Sequence, residues 1–224
     1  MLKQIINGFC AGLLISIGGC VFLACDNKYM GAFFFSVALL SICIKGYSLF
    51  TGKVGYIPES HSKDDVSTLL LGLLGNTVAT VLIGFLVSLA FPSFFASAKL
   101  ICAAKLASQN FFSTLLRGIL CGVLMYLAVS IYKERKSYIG IVFCIPVFIL
   151  SGFEHSIADM FYFSVARAVS FKGFLFILTV IVGNTIGGML LPSLSLLSKW
   201  LDKKENEPEE EYDTFPDEVE DEEN

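Results

Sequence analysis

Residues 137–165 read SYIGIVFCIPVFILSGFEHSIADMFYFSV, and apart from Glu154, His155 and Asp159 every residue in this run is apolar or uncharged. A helix that crosses the hydrocarbon core of a bilayer, about 30 Å thick, needs roughly 20 mostly apolar residues. The run is therefore long enough to span a membrane. Pro146 and the segment Gly152-Phe153-Glu154-His155 predict that it does so as an interrupted helix.

Five further apolar runs surround this one, at residues 5–25, 31–57, 67–91, 112–132 and 171–200. Together they predict an all-α membrane protein with six transmembrane helices. Three of these runs also contain glycine or polar interruptions, and we predict breaks at Lys45-Gly46-Tyr47-Ser48, Gly75-Asn76-Thr77 and Gly183-Asn184-Thr185.

The distribution of charge separates the membrane part from the end of the chain. Apolar residues make up 55% of the sequence and charged residues 16%, and 13 of the 20 acidic residues lie from Asp202 onward. A soluble domain cannot cover so much apolar sequence with so few charges. We predict a transmembrane channel domain over residues 1–202 and a disordered acidic cytoplasmic tail over residues 203–224. The net charge of −4 belongs to this tail and gives no argument for nucleic acid binding.

The tail permits two interpretations. It contains Pro208 and Pro216 among dense acidic residues, which is typical of a disordered segment that solvates one face of a protein. Alternatively, Tyr212 and Phe215 could dock on a partner or at the mouth of the pore.

The first apolar run and the cysteines fit a membrane domain without disulfides. The run that begins at Ile5 is not followed by a small-residue cleavage site with a polar mature start, so we interpret it as the first span and not as a signal peptide. The seven cysteines lie mostly inside apolar runs and form no CxxC pair. They predict small buried hydrophobic residues, with no disulfide framework, no metal site and no cofactor.

Lysine and arginine counts in the loops predict the orientation, because positive residues favour the cytoplasmic side. If both termini are cytoplasmic, that side holds Lys3, Lys53, Lys63, Lys133, Arg135, Lys136, Lys199, Lys203 and Lys204. The opposite side then holds Lys28, Lys99, Lys105, Arg167 and Lys172. The sequence therefore favours a multi-pass protein of the cell (inner or plasma) membrane with both termini in the cytoplasm.

The two halves of the membrane part resemble each other. Three pairs of motifs recur at offsets of 110, 108 and 106 residues: Cys10-Ala11-Gly12-Leu13-Leu14 with Leu120-Cys121-Gly122-Val123-Leu124, Gly75-Asn76-Thr77 with Gly183-Asn184-Thr185, and Gly46 with Gly152. We predict inverted repeats over about 5–91 and 112–200, because an odd number of spans per repeat turns the second copy upside down. Inverted repeats with broken helices indicate a transport path near the middle of the membrane.

Polar residues inside the spans are the candidate functional residues, because an unpaired polar group in the bilayer is costly. His155 is either a helix-packing histidine or a group that exchanges hydrogen bonds or protons with something crossing the pore. Burial disfavours its charged form, so we expect a neutral imidazole near pH 7. Glu154 points elsewhere on the helix, and we expect it to support backbone amides at the break or to contact a neighbouring subunit.

Further polar residues also have two interpretations each. Thr51 either caps the helix that follows or forms a hydrogen-bonding pair with His155 from the opposite half. Asn76 and Asn184 either belong to small-residue helix contacts or lie at broken helix ends that present partial charges to the pore. By composition alone Lys105 is an ordinary surface lysine. No nucleotide loop, catalytic triad or metal cluster is present in the sequence, so we do not expect an enzyme.

Residues 152–160, GFEHSIADM, closely resemble the signature GFEHSIANM of the formate/nitrite transporter family. Leu49-Phe50-Thr51-Gly52 resembles the loop in that family's broken second helix. Residues 117–121 and 183–188 resemble its fourth and sixth helices. The resemblance covers about residues 5–200.

The resemblance implies an aquaporin-like protomer with six helices in a homopentamer, in which each protomer has a pore for small monovalent anions. It assigns the central histidine to His155 and the loop threonine to Thr51. Two apolar constrictions fall on Phe35 and Phe148 on one side and on Leu39, Leu49 and Met125 on the other. The lysine of the outer vestibule falls on Lys105.

Two residues depart from the family pattern. Gly122 stands where many members have an asparagine, which removes a polar group near the outer vestibule. Asp159 replaces the usual asparagine of the signature. Both leave the identity of the anion open, and Gly122 favours a hydrosulfide-type member as an alternative.

These features predict a passive or proton-coupled channel for small monovalent weak-acid anions, with formate as the first substrate and nitrite or hydrosulfide as alternatives. An anion that crosses apolar constrictions loses its hydration, and a bare charge there is very costly. Lys105 would attract the anion, Thr51 and His155 would bind it, and a proton would neutralise it. A channel for neutral solutes such as water or glycerol and a non-conducting scaffold are the competing classes.

Overall fold

The computed structural model describes residues 1–206, and every element assigned within them is helical. The α-helices in chain order are α1 (Leu2–Ala24), α2 (Lys28–Lys45), α3 (Phe50–Lys53), α4 (Lys63–Ala90), α5 (Pro92–Ser108), α6 (Phe111–Arg135), α7 (Ile139–Leu150), α8 (Ser156–Val165) and α9 (Phe171–Glu205). A short 3-10 helix, Val54–Tyr56, follows α3 directly.

Helix lengths confirm the prediction of a helical membrane protein. Five helices, α1, α2, α4, α6 and α9, are long and apolar enough to cross a bilayer. The fifth predicted span is divided between α7 and α8, which have 12 and 10 residues. The sixth crossing therefore requires these two short helices together, and the count of six stays a prediction.

Two of the predicted breaks are present, and a glycine produces each of them. Gly46 ends α2 with a φ of 71°, and Gly152 follows α7 with a φ of 68°. Residues with a side chain rarely adopt this left-handed conformation, so glycine is the residue that turns the chain out of the helix at low cost. After each turn, three non-helical residues lead into α3 or α8.

Three other predicted breaks are wrong. Pro146 lies within α7, where only one backbone hydrogen bond has to be given up, and the helix continues to Leu150. Gly75-Asn76-Thr77 and Gly183-Asn184-Thr185 lie within the uninterrupted helices α4 and α9. The threonine hydroxyls fit a helix, because Thr77 and Thr185 each donate to the carbonyl four residues earlier, at 2.9 and 2.8 Å.

The described helices repeat in order, so that α1–α4 correspond to α6–α9 with α5 between them. Helix α1 packs along α4, α6 packs along α9, and α2 packs against α7. Glycines allow the first two contacts: a Cβ at Gly12 would lie 2.6 Å from the carbonyl oxygen of Asn76, and one at Gly122 would lie 2.5 Å from that of Asn184.

Gly122 is therefore buried in the contact between α6 and α9, away from both of the cavities described below. The expectation that it removes a polar group near the outer vestibule is wrong, because the backbone of α9 occupies the space beside it. This glycine therefore gives no information about which anion is transported.

The ends of the membrane part also differ from the prediction. No span was predicted for residues 92–111, and most of them form α5, which begins with Pro92 in its first turn. Helix α9 runs on to Glu205, past the predicted start of the tail at residue 203. The predictions for Tyr212, Phe215 and a disordered tail lie outside the described residues.

Candidate functional site

Two asparagines hold the starts of the short helices α3 and α8. Asn76 accepts a hydrogen bond from the backbone amide of Phe50 at 2.9 Å, and its own amide donates to the carbonyl oxygens of Gly8 and Ser48 at 2.8 and 2.9 Å. Asn76 is fully buried. One side chain thus connects α1, α4 and the turn before α3.

Asn184 makes the same three bonds in the second half. It accepts from the amide of Ser156 at 2.9 Å and donates to the carbonyl oxygens of Gly118 and Glu154 at 2.9 and 2.8 Å. The asparagines are thus not at broken helix ends of their own, as one interpretation expected. They form hydrogen bonds with backbone groups that have no partner within their own helix at the breaks of two neighbouring helices.

The structure brings Thr51 and His155 together. Thr51 Oγ1 lies 2.8 Å from His155 Nε2, and the two residues are 0% and 3% exposed. Nδ1 of His155 accepts a hydrogen bond from the amide of Ala158 at 3.1 Å, so it carries no proton. In the neutral imidazole the proton is then on Nε2, which donates to the threonine hydroxyl.

The repeat does not make Thr51 the counterpart of His155. The turns correspond at Gly46 and Gly152, so the residue equivalent to His155 is Leu49, and each of the two precedes the first residue of a short helix in an extended conformation. The two halves share a backbone arrangement and differ in chemistry at this position. Only the second half has a polar side chain there.

All five residues that the resemblance assigned to constrictions are buried. The rings of Phe35 and Phe148 meet edge to face with centroids 6.5 Å apart, and Phe148 also stacks on His155 at 5.6 Å. Leu39, Leu49 and Met125 are each 1% exposed.

A cavity opens beyond each of the two groups. Cavity one, of about 570 Å³, is lined by Phe35, Phe148 and His155 together with Lys105 and Asp159. Cavity two, of about 260 Å³, is lined by Leu39 and Leu49 together with the charged residues Lys53 and Lys133. Thr51 and Met125 line neither cavity.

Lys105 is not a surface lysine. It is 18% exposed, and its ammonium group pairs with Glu154 Oε2 and, at 3.1 Å, with Asp159 Oδ1. Composition could not show this, because the partners are 49 and 54 residues away in the sequence. The lysine lines cavity one but is already paired with two carboxyl groups.

Glu154 was expected either to bind backbone amides at the break or to contact a neighbouring subunit. The first expectation is wrong. The Glu154 carboxylate accepts from the side chains of Lys105 and Gln109, the latter at 2.5 Å. The break is instead supported by Arg117, whose guanidinium donates to the carbonyl oxygen of Gly152 at 2.7 Å. A lone arginine inside an apolar run is the signal that could have identified Arg117 as a functional or supporting residue.

Two cavities and a buried polar pair, within a bundle of apolar helices, are features of a membrane channel or transporter. Within residues 1–206 no group of His, Cys, Asp and Glu side chains could hold a metal ion.

Comparisons with known proteins agree with this class. The family model described as formate/nitrite transporter matches residues 1–198. The chain is 28% identical over 201 residues to the nitrite transporter NirC of Salmonella typhimurium, covering 81% of this chain and 74% of the relative. It is 26% identical over 225 residues to the formate-nitrite transporter of Plasmodium ovale, covering 85% and 72%.

Solved structures show the same fold. A pentameric formate channel with formate bound superimposes with a TM-score of 0.74 at 22% identity, covering 89% of this chain and 97% of that one. An ion channel of the same family gives a TM-score of 0.72 at 24% identity, covering 88% of each chain. The chain belongs to the formate/nitrite transporter family.

Proposed function

We propose that the chain is a proton-coupled channel for small monovalent weak-acid anions. Formate is the favoured substrate. The observation that carries the proposal is the hydrogen-bonded pair of Thr51 and His155, buried between two sets of apolar side chains with a cavity beyond each. Polar residues inside membrane-spanning segments are costly to bury and typically mark the path of a transported molecule.

The apolar constrictions explain why the anion must be a weak acid. A bare anion between Phe35 and Phe148, or among Leu39, Leu49 and Met125, has no hydration shell, and the free-energy cost is far larger than that of a neutral acid. Formate, nitrite and hydrosulfide become neutral on binding one proton. Chloride stays an anion at any pH that the protein tolerates, so the same path excludes it.

His155 serves this path as a hydrogen-bond donor. Its Nε2–H points to Thr51, and the threonine hydroxyl then has its own hydrogen free to donate to a substrate oxygen. The stacked ring of Phe148 holds the imidazole plane in place. The pair thereby offers a neutral, oriented donor to a molecule that has left water behind.

Formate and nitrite are both supported as substrates by relatives. The pentameric channel with the same fold has formate bound, and the bacterial relative NirC is named for nitrite. Hydrosulfide was favoured only by Gly122, and that glycine lies between helices. It stays in the panel of anions to be tested, without an argument of its own.

The proposed assembly is a homopentamer in the cell membrane, with one pore per protomer and both termini in the cytoplasm. Support comes from the pentameric relative and from the many large apolar side chains on the outer faces of α2, α4 and α9, such as Phe33, Leu82 and Leu178. Such side chains face lipid or a neighbouring protomer. On the orientation favoured by the loops, cavity two opens to the cytoplasm.

The test is uptake by proteoliposomes in a stopped-flow instrument, with formate, nitrite, hydrosulfide and chloride compared at several pH values. We expect flux of one or more of the weak-acid anions that rises as the pH falls, and none of chloride. The His155→Ala variant is expected to lose most of this flux.

Unchanged flux and unchanged pH dependence in His155→Ala would rule out the proposed mechanism. Glycerol or water flux that is insensitive to pH would identify a neutral-solute channel instead. No flux from correctly folded pentamers would favour a scaffold.

A further inference from the structure

Asp159 forms a charged cluster with Lys105 and Glu154 at cavity one. Its amide donates to the carbonyl oxygen of His155 at 2.9 Å, so the two residues lie one turn apart on the same face of α8. Both line cavity one, and Asp159 is 2% exposed. A second carboxylate is therefore buried beside the pore, next to the residue that binds the substrate in the proposed function.

The three side chains do not balance in charge when all are ionised. Lys105 carries one positive charge, while Glu154 and Asp159 would carry two negative charges. Glu154 is fully bonded, because one oxygen accepts from Lys105 and the other from Gln109. Asp159 is not, because Oδ1 contacts Lys105 whereas Oδ2 is buried without a hydrogen-bond partner.

An ionised carboxylate oxygen that is buried without a donor is strongly unfavourable in a site of low polarity. A proton on Oδ2 removes the excess negative charge and leaves the cluster neutral. The hydroxyl formed in this way becomes a donor at the wall of the cavity that the anion enters.

We propose that Asp159 holds a proton and transfers it to the weak-acid anion in cavity one, before the anion passes Phe35 and Phe148. The proposal rests on the proposed function and names the proton source within it. His155 is not suited to this step: Nδ1 is occupied by the amide of Ala158 and the Nε2–H by Thr51.

The transfer balances as follows for formate. The O–H bond of the Asp159 carboxyl breaks, an O–H bond forms on formate, and formic acid and the Asp159 carboxylate result. The carboxylate takes up a new proton from water in cavity one, and the acid dissociates in cavity two. One proton crosses with each anion, and nothing is oxidised or reduced.

Other ionisable groups near Asp159 do not offer a competing proton. Lys105 is shared with Glu154, and His155 is neutral and hydrogen-bonded on both nitrogens. The remaining groups that face Asp159 are uncharged near neutral pH: Cys102 of α5, Cys121 of α6 and Tyr162 of α8.

The direction of the effect of Asp159→Asn tests the proposal. If Asp159 is a proton donor, the variant loses the donor, and formate flux falls by about 100-fold or more, the scale of loss when a positioned acid is removed. If Asp159 is only an ionised partner of Lys105, the variant frees the lysine charge, and flux rises or stays the same. Formate uptake is measured in proteoliposomes together with proton uptake by an internal pH dye.

Asp26→Asn is the matched control, because Asp26 also lines cavity one but is exposed. It removes a negative charge from the same cavity, and we expect flux close to that of the wild type. An equal loss in both variants, or an unchanged or increased flux in Asp159→Asn, would overturn the proposal. A wild-type protein that carries none of the weak-acid anions would instead reject the proposed function, so the two failures are distinguishable.

Infrared spectroscopy of the wild-type protein tests the proton itself, even if the variant does not fold. Aspartate labelled with ¹³C at its side-chain carboxyl carbon shifts the C=O band of a protonated Asp, and exposed aspartates are ionised at pH 7. We expect one shifted carboxylic-acid band at pH 7 that is retained in Asp26→Asn. Absence of this band would overturn the proposal, since Asp159 would then be ionised.

Discussion

At the scale of single residues, the site depends on which atoms of His155 are already occupied. The amide of Ala158 fixes the tautomer by donating to Nδ1, and this leaves one proton, on Nε2, facing Thr51. A protonated imidazole would have to give up the bond from Ala158. The helix that carries the histidine therefore favours its neutral form, which suits a donor to a neutral or nearly neutral substrate.

Thr51→Val tests the hydroxyl of this pair. Valine keeps the shape of threonine and removes the oxygen, so Nε2–H of His155 loses its acceptor and the substrate loses a donor. The net value of one hydrogen bond is about 1 kcal/mol, and we expect flux to fall by about 3-fold to 10-fold. Stopped-flow uptake of formate and nitrite measures the change.

Thr51→Ser is the matched control, because serine retains the hydroxyl at the same position and removes only a methyl group. We expect its flux to stay within a factor of two of the wild type, by comparison with the loss in Thr51→Val. Equal losses in the two variants would show that Thr51 acts by packing and not by its hydroxyl.

At the scale of elements, two continuous helices support two broken ones. Helices α4 and α9 each present one asparagine, and each asparagine binds the extended segment after a break and the first residue of the short helix that follows it. The starts of α3 and α8, which carry Thr51 and follow His155, are therefore fixed to the longest helices in the described chain. Stability and pore geometry are linked through these contacts.

Asn184→Leu is expected to destabilise the protein strongly. Leucine has a similar size but removes three hydrogen bonds, and it leaves the buried amide of Ser156 and the carbonyl oxygen of Glu154 without these partners. We expect the free energy of unfolding to fall by about 2–5 kcal/mol, since each buried polar group left unsatisfied costs about 1–3 kcal/mol. Circular dichroism during denaturation in detergent micelles measures it.

Thr185→Val is the control for this change, because Thr185 follows Asn184 in the same helix and bonds only the carbonyl oxygen of Ile181. The loss of that bond leaves the helix ladder intact, so we expect a much smaller change in the free energy of unfolding. A loss as large as that of Asn184→Leu would indicate that replacing any polar residue in this part of α9 is harmful. It would contradict a specific role of the asparagine.

Sequence patterns predicted the helix breaks correctly where the backbone conformation requires a glycine. They predicted breaks wrongly where a polar side chain supports a neighbouring helix. Gly46 and Gly152 were identified because a glycine between an apolar run and a polar segment is a local signal. Asn76 and Asn184 were misinterpreted, since a polar residue in a span looks the same whether it interrupts its own helix or supports another. Lys105 was undetermined for the same reason: its partners lie far away in the sequence.

At the scale of the whole molecule, charge is divided unequally between the membrane part and the end of the chain. Residues 207–224 contain 11 acidic residues and no basic ones, so without them the formal net charge changes from −4 to +7. The described part of the chain is thus basic. Cavity two has Lys53 and Lys133 at its wall and no carboxylate among the residues that line it. On the proposed orientation, the acidic segment and this cavity are on the same side of the membrane.

Deleting residues 207–224 tests whether this segment affects transport. The truncation leaves α9 complete, because the helix ends at Glu205. Charges in contact with solvent act on an anion mainly within a Debye length, about 8 Å at 0.15 M salt and about 30 Å at 0.01 M. We therefore expect flux of formate to be unchanged at 0.15 M salt and to rise in the truncated protein at about 0.01 M, where the acidic residues repel the anion from the mouth.

A variant in which residues 207–224 are replaced by a Gly/Ser segment of equal length separates charge from bulk. If repulsion by the acidic residues is the cause, this variant behaves like the truncated protein at both salt concentrations. A change of flux in the truncated protein at 0.15 M salt would contradict the electrostatic explanation, because screened charges cannot produce it. If flux changes at 0.15 M salt in the truncated protein but not in a variant that keeps Tyr212 and Phe215, these aromatic residues dock at the pore mouth.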